Sequence, residues 1–287
     1  MDLLQSLAST PALYYTAVAV LGLVIGSFLN VVIHRLPIML KRNWSRQCRE
    51  LQEPDAVDTS DDQPFNLVVP ASRCPACGHR ISPVENIPVI SYLVLRGRCA
   101  SCHTRISPRY PIIELATATL SVITVMHFGY TFRAAAALGF TWTIIPLCMI
   151  DLDEQLLPDG ITLPLLWAGL ALSLGSVFID SQASIIGALA GYLSLWLVYH
   201  LFKLATGKEG MGYGDFKLLG AIGAWVGWQA LPVVILFSSV VGAATGILLI
   251  AFKSRNRGQP IPFGPFLASA GWITLLWGQE ILDLYLH

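Results

Sequence analysis

Asp151, Asp153, Glu154 and Asp159 fall within nine positions of the stretch "CMIDLDEQLLPDG", with no lysine or arginine among them. They directly follow an apolar run, where a helix would present the negative end of its dipole and acids are mildly unfavourable. A second stretch, "EGMGYGDFKLLGA", sets Gly210, Gly212 and Gly214 ahead of Asp215 at the start of another apolar run. Two carboxylates brought together in a partly dry site do not both ionise easily: one keeps its proton and the other stays charged. Such a pair activates water toward a peptide carbonyl without a metal or a covalent intermediate. Asp151 continues "TIIPLCMI" without a break, which puts it near a hydrocarbon boundary, where an ionisable group is costly and usually functional. The plainer readings are a helix cap for Asp215 and a turn at Asp159-Gly160. They leave Asp151 unexplained.

A second constellation is built from thiols. "CPACGH" and "CASCH" place Cys74, Cys77, Cys99 and Cys102 in two C-x-x-C pairs, with residues 78–98 between them. Four thiolates around one tetrahedral zinc fit this pattern, and the gap is only slightly longer than the common spacing of about 15–20 residues. The same pairs point to a reducing compartment rather than a disulfide framework. His79 and His103 adjoin the pairs, but four cysteines already close such a site. Cys48 and Cys148 lie outside the pattern.

The elements that must position these groups are apolar. Of 287 residues, 54% are hydrophobic and 13% charged, against roughly 25% charged in an average soluble domain. Eight apolar segments stand out, near 12–33, 111–129, 134–150, 161–179, 184–204, 215–229, 231–252 and 261–285. Most approach the length of about 20 residues needed to cross a bilayer; the sixth is the weakest, being short and glycine-rich. The expected fold is an all-α polytopic membrane protein with about eight transmembrane helices and a small cytoplasmic zinc-binding domain. Residues 1–33 would hold the first transmembrane helix, 34–110 the zinc-binding domain, and 111–287 a core of about seven helices. The start of the chain lacks the cationic beginning of a signal peptide, so the first span is expected to be retained. The acidic stretch "RELQEPDAVDTSDDQPFN" reads as a mobile loop.

Orientation follows from the bases. With eight spans, seventeen of the eighteen Lys and Arg lie on one side and only Arg133 on the other. By the positive-inside rule the cysteine domain is cytoplasmic and both termini lie on the opposite, periplasmic face. Both aspartate stretches then converge at the cytoplasmic edge. The net charge of +0 offers no argument for nucleic acid, and none is expected as a partner.

"GYGD" (212–215) together with "DLDEQLLPD" (151–159) resembles the type IV prepilin peptidases, intramembrane aspartyl proteases of the GxGD kind. The resemblance extends to "GSFLNVVIHRLP" (26–37), the four cysteines and "IPFGPFLA" (261–268), and so runs along nearly the whole chain. It implies an enzyme of the bacterial inner membrane that cleaves the basic leader of type IV prepilins or type II secretion pseudopilins. It also implies methylation of the new N-terminal residue with S-adenosylmethionine. Carried over by motif, the catalytic pair is Asp151 and Asp215, with Asp153 next in line for the first role. At i and i+2, Asp151 and Asp153 point to different helix faces, so only one of them would meet Asp215.

The methyltransferase expectation rests on resemblance alone. No G-x-G-x-x-G loop precedes a helix, and "GLVIGS" lies inside an apolar run, where its glycines suit close helix packing. Gly97 is the implied candidate for cofactor binding; as a bare residue it reads equally as a turn glycine. Asn30, His34, Arg35 and Glu114 are polar groups at membrane edges, suited to holding substrate or cofactor or to interfacial anchoring. The competing class is a proton-coupled transporter using the aspartates as relay groups, which would place carboxylates near mid-bilayer within inverted repeats. Neither sign is present. An assembly scaffold docking partners through the zinc domain would leave the paired aspartate motifs idle.

Overall fold

The computed structural model describes residues 10–52, 64–252 and 261–286. The chain's start, the central acidic run of the expected mobile loop, and Lys253, Arg255 and Arg257 lie outside the described residues. Among the described residues there are no strands, only two isolated bridges. Eight helices of 14 residues or more follow one another: α1 (Pro11–Gln52), α2 (Arg109–Phe128), α3 (Phe132–Glu154), α4 (Asp159–Ser173), α5 (Ser181–Thr206), α6 (Tyr213–Val226), α7 (Leu231–Ala251) and α8 (Gly264–Leu286). Each overlaps one of the apolar segments. By length and composition, α1, α2, α3, α5 and α7 are able to cross a membrane. At 14 residues, α6 is about 21 Å long, less than the roughly 30 Å of a hydrocarbon core. α8 is broken by non-helical geometry at Trp277 (φ −115°, ψ 18°).

The chain divides into two compact units, Met1–Met126 and His127–His287. In the first, α1 runs for 42 residues, well beyond the end of its apolar segment. Buried Arg35 on α1 donates from Nη1 to the Asn66 carbonyl (2.9 Å) and from Nη2 to the Pro70 carbonyl (2.6 Å). Asn30 Nδ2 donates to the Tyr110 carbonyl (3.1 Å), and buried Glu114 on α2 accepts from the Val89 N–H (2.8 Å). Buried charges are tolerated when paired or hydrogen-bonded, and here the partners are backbone groups of the intervening segment. Arg35 and Glu114 therefore fasten that segment to its flanking helices, Asn30 ties α1 directly to α2, and His34 is exposed.

In the second unit α6 is enclosed. Leu218, Leu219, Ala221, Ile222 and Ala224 are fully buried on it, so this short helix is solvated by protein rather than lipid. α5 crosses it at Gly187 and Gly223, where a Cβ on either would strike the other's carbonyl oxygen. Small residues permit that backbone approach. Polar ties complete the enclosure: Ser184 Oγ donates to the Ala224 carbonyl (2.7 Å), and Trp225 Nε1 to the Leu165 carbonyl on α4 (2.8 Å). Trp272 Nε1 donates to Thr141 Oγ1 (3.0 Å), tying α8 to α3. Each satisfies a group that would be costly to leave unpaired out of water.

Candidate active site

α3 ends one turn beyond Asp151. Gln155 adopts the left-handed conformation (φ 51°) and its N–H closes the helix on the Asp151 carbonyl (2.9 Å), a terminator that satisfies an otherwise open acceptor. Asp151 thus sits in the last turn, at 5% exposure, while Asp153 on the other face is exposed. α6 begins at Gly212, which holds the N-cap position without a side-chain cap. Asp215 is therefore not the cap. It is the third helical residue, 7% exposed, and its backbone N–H donates to the Gly212 carbonyl (3.3 Å). The Asp151 and Asp215 carboxylates lie near enough for their charges to interact.

A third helix end completes the arrangement. Gly264, the first residue of α8, donates its N–H to Asp151 Oδ2 (3.0 Å). The leading N–H groups of a helix have no partner within it, so this one is free to serve a carboxylate. A Cβ at Gly264 would lie 2.7 Å from Asp151 Oδ2 and 3.2 Å from Leu157 Cδ2. Leu157, buried on the linker between α3 and α4, is also what a Cβ on Gly214 would meet, at 2.8 Å. One apolar side chain therefore sits between the starts of α6 and α8, and Asp151 at the end of α3 reaches the start of α8. At the same edge Lys217 Nζ contacts both Asp159 oxygens at 2.8 Å, tying α6 to α4.

Sequence reasoning missed two of these parts. The Gly264 N–H is a main-chain donor, and its signal is the "FGP" at the head of an apolar run, with Pro265 just inside a helix start. Asp159 reads as a turn residue from sequence, whereas the structure gives it a partner 58 residues away. Chemically, the arrangement is a pair of largely buried carboxylates at converging helix ends, one of them held by a helix N-terminus.

The four thiols form a separate centre in the first unit. The Sγ atoms of Cys74, Cys77, Cys99 and Cys102 all lie within 4.8 Å of one another, a donor set for a single metal ion. Two copies of R-C-x-x-C-x-x-R build it, each closed by a bridge: Arg73 with Arg80, and Arg98 with Arg105. In each copy the first cysteine's N–H donates across the turn, Cys74 to the His79 carbonyl (2.8 Å) and Cys99 to the Thr104 carbonyl (2.9 Å). The Thr104 side chain and backbone lower the Cys102 thiol to about 6 and the backbone N–H groups of Cys77 and Ala76 lower Cys74, whereas burial and the neighbouring thiols raise Cys77 to about 11. Thiolates are the ligating form. His79 is not among the donors; its Nε2 pairs with Glu85 Oε1 at 3.2 Å. Gly97 lies in neither centre. It has φ +67°, and it borders a cavity of about 600 Å³ shared with Tyr92, Arg96, Arg98, Arg105 and Ile106.

The chain is similar to known proteins along its whole length. The model of the bacterial peptidase A24 N-terminal domain matches residues 20–128, and that of the type IV leader peptidase family matches residues 138–247. A prepilin leader peptidase/N-methyltransferase from Aeromonas hydrophila is 55% identical over 287 residues, covering 100% of this chain and 99% of the relative. The protein of that name from Pseudomonas aeruginosa is 53% identical over 289 residues, covering 100% and 98%. Its counterpart from Dichelobacter nodosus is 50% identical over 287 residues, covering 99% and 98%. No solved structure is a significant match.

Proposed function

The chain belongs to the type IV leader peptidase family, and from that premise we propose that it cleaves prepilin leaders with Asp151 and Asp215 and then methylates the new N-terminus. The observation that carries the catalytic assignment is the pair of largely buried carboxylates at the meeting of three helix ends, with the Gly264 N–H on Asp151. In such a dyad one carboxylate carries a proton and the other a charge. The charged one takes a proton from water as the water oxygen attacks the scissile carbonyl carbon. The protonated one hydrogen-bonds the carbonyl oxygen, stabilising the tetrahedral intermediate, and the C–N bond then breaks as the departing nitrogen is protonated. Asp153, exposed on the opposite helix face, is left to local electrostatics. A transporter reading expects carboxylates at mid-bilayer; these two stand at helix ends.

The substrate class follows from the same edge. A prepilin or type II secretion pseudopilin presents a basic leader followed by an apolar helix. The acids Asp153 and Glu154 flank the dyad and complement the leader's charge. The protein is a multi-pass protein of the bacterial inner membrane, in contact with the lipid bilayer; in our reading it has eight spans, a cytoplasmic cysteine module and periplasmic termini.

Cys74, Cys77, Cys99 and Cys102 would hold zinc. Tetrahedral Zn–S bonds of about 2.3 Å imply sulfurs about 3.8 Å apart, and Cys74 Sγ lies 3.8 Å from Cys102 Sγ. The metal would be structural, since four protein ligands leave no open position. For methyl transfer, S-adenosylmethionine supplies an electrophilic methyl group when bound. The cavity beside Gly97 fits its chemistry, because Tyr92 offers an aromatic face and Arg96, Arg98 and Arg105 offer cations to a carboxylate. A Cβ on Gly97 would lie 2.9 Å from the Tyr92 hydroxyl, so glycine keeps that edge open.

Mass spectrometry of a prepilin's N-terminus after incubation with the purified full chain tests both activities. Leader loss is expected with or without S-adenosylmethionine, and the mass increment of one methyl group only with it. An intact leader in both arms would overturn the reading.

A further inference from the structure

Residues 84–94 of the first unit carry an apolar surface that neither the dyad nor the thiol centre uses. Val84, Ile90, Leu93 and Val94 are 73%, 57%, 68% and 75% exposed, with Ile87 beside them. Exposed apolar side chains gathered on so short a segment mark a contact site. Two observations say what covers it. The first is height. The Val89 N–H is held by buried Glu114, five residues into α2, or about 7.5 Å along its axis. α2 is itself long and apolar enough to cross a membrane. That bond therefore sets the backbone just ahead of Ile90 at the level where headgroups give way to acyl chains. At the same height α2 exposes Ile112 and Leu115.

The second observation is charge. Residues 64–108 contain five arginines (Arg73, Arg80, Arg96, Arg98 and Arg105) and a single acid, Glu85. Glu85 is already engaged by the Ser82 N–H (2.7 Å) and His79, which hold its carboxyl below the usual range. All five arginines are exposed. The module thus joins apolar side chains at the interfacial level to a net positive surface, the combination that binds an anionic leaflet.

We propose that residues 84–94 are a second membrane contact: Ile90, Leu93 and Val94 enter the interfacial layer of the bilayer, and Arg73 and Arg80, the two arginines of the module outside the Gly97 cavity, meet anionic phospholipid headgroups. Buried Arg35 and Glu114, which fasten the module to α1 and α2, fix the height at which this wedge enters. The proposal does not depend on the peptidase or methyltransferase reading.

The test uses the full chain in nanodiscs of phosphatidylcholine and phosphatidylglycerol, with the photo-crosslinking residue benzoylphenylalanine placed at Leu93 or, as control, at exposed Ala76 on a cysteine turn. Lipid adducts are expected at position 93 and not at 76. Phosphatidylglycerol should be enriched among them relative to the bilayer, and the enrichment should fall as salt screens the arginines. Adducts from position 93 to a second copy of the chain or to an added prepilin in place of lipid would overturn the proposal, as would equal lipid labelling at 76. Lipid labelling at 93 without preference for phosphatidylglycerol would overturn its electrostatic half.

Discussion

Gly264 has no side chain, yet its N–H is the donor that holds Asp151 Oδ2 at 3.0 Å. Replacing it with alanine would set a Cβ 2.7 Å from that oxygen, so the carboxylate or the start of α8 must move. Misplacing a catalytic group by about 1 Å can cost ~10²-fold. Gly264→Ala is accordingly expected to lower the leader-cleavage rate by about that factor, while circular dichroism reports unchanged helix content. Asp151 and Asp215 stand out in the sequence as carboxylates at the ends of apolar runs, where they are chemically out of place, and the structure buries both. Gly264 does not stand out, because a main-chain donor leaves no mark on residue type. Asp159 was legible only as a turn; its ion pair with Lys217 spans 58 residues, a distance that local patterning does not reach.

The element that matters most is α6, the weakest apolar segment in sequence and the most enclosed in structure. Its glycines and alanines read as low span propensity, but they are what lets α5 cross at Gly187 and Gly223. Gly223→Val would drive a branched side chain into the Gly187 carbonyl, and overpacking of this kind costs about 3 kcal/mol or more. Thermal unfolding of the purified protein in detergent should show the loss, and leader cleavage should fall with it because α6 carries Asp215. The Lys217–Asp159 pair, which joins this helix to α4 at the surface, contributes about 1 kcal/mol or less. The continuation of α1 to Gln52 was not legible either. Beyond residue 33 the membrane signal stops while the helix does not, since bases such as Lys41, Arg42 and Arg46 are good helix formers.

At the scale of the whole molecule, the thiol centre and the dyad belong to different compact units, Met1–Met126 and His127–His287, and this separates their failures. A zinc site built from four cysteines contributes directly to folding. Chelation, or Cys99→Ser, is expected to release a single zinc per chain and to make residues 64–108 sensitive to limited proteolysis. The enclosed packing of α3 to α8 should persist, as read by protection of those helices from hydrogen exchange. The spacing of the cysteines made this centre legible in sequence, whereas its anchorage through Arg35 and Glu114 was readable only as unassigned polarity at a membrane edge. The most direct measurement of the central claim is prepilin cleavage by the purified full chain carrying Asp151→Asn, Asp153→Asn or Asp215→Asn singly. General acid–base groups contribute about 10²–10⁴-fold, so the first and third variants should lose at least about 10²-fold while Asp153→Asn cleaves within a few-fold of the parent. Normal processing by Asp215→Asn, or loss confined to Asp153→Asn, would contradict the account.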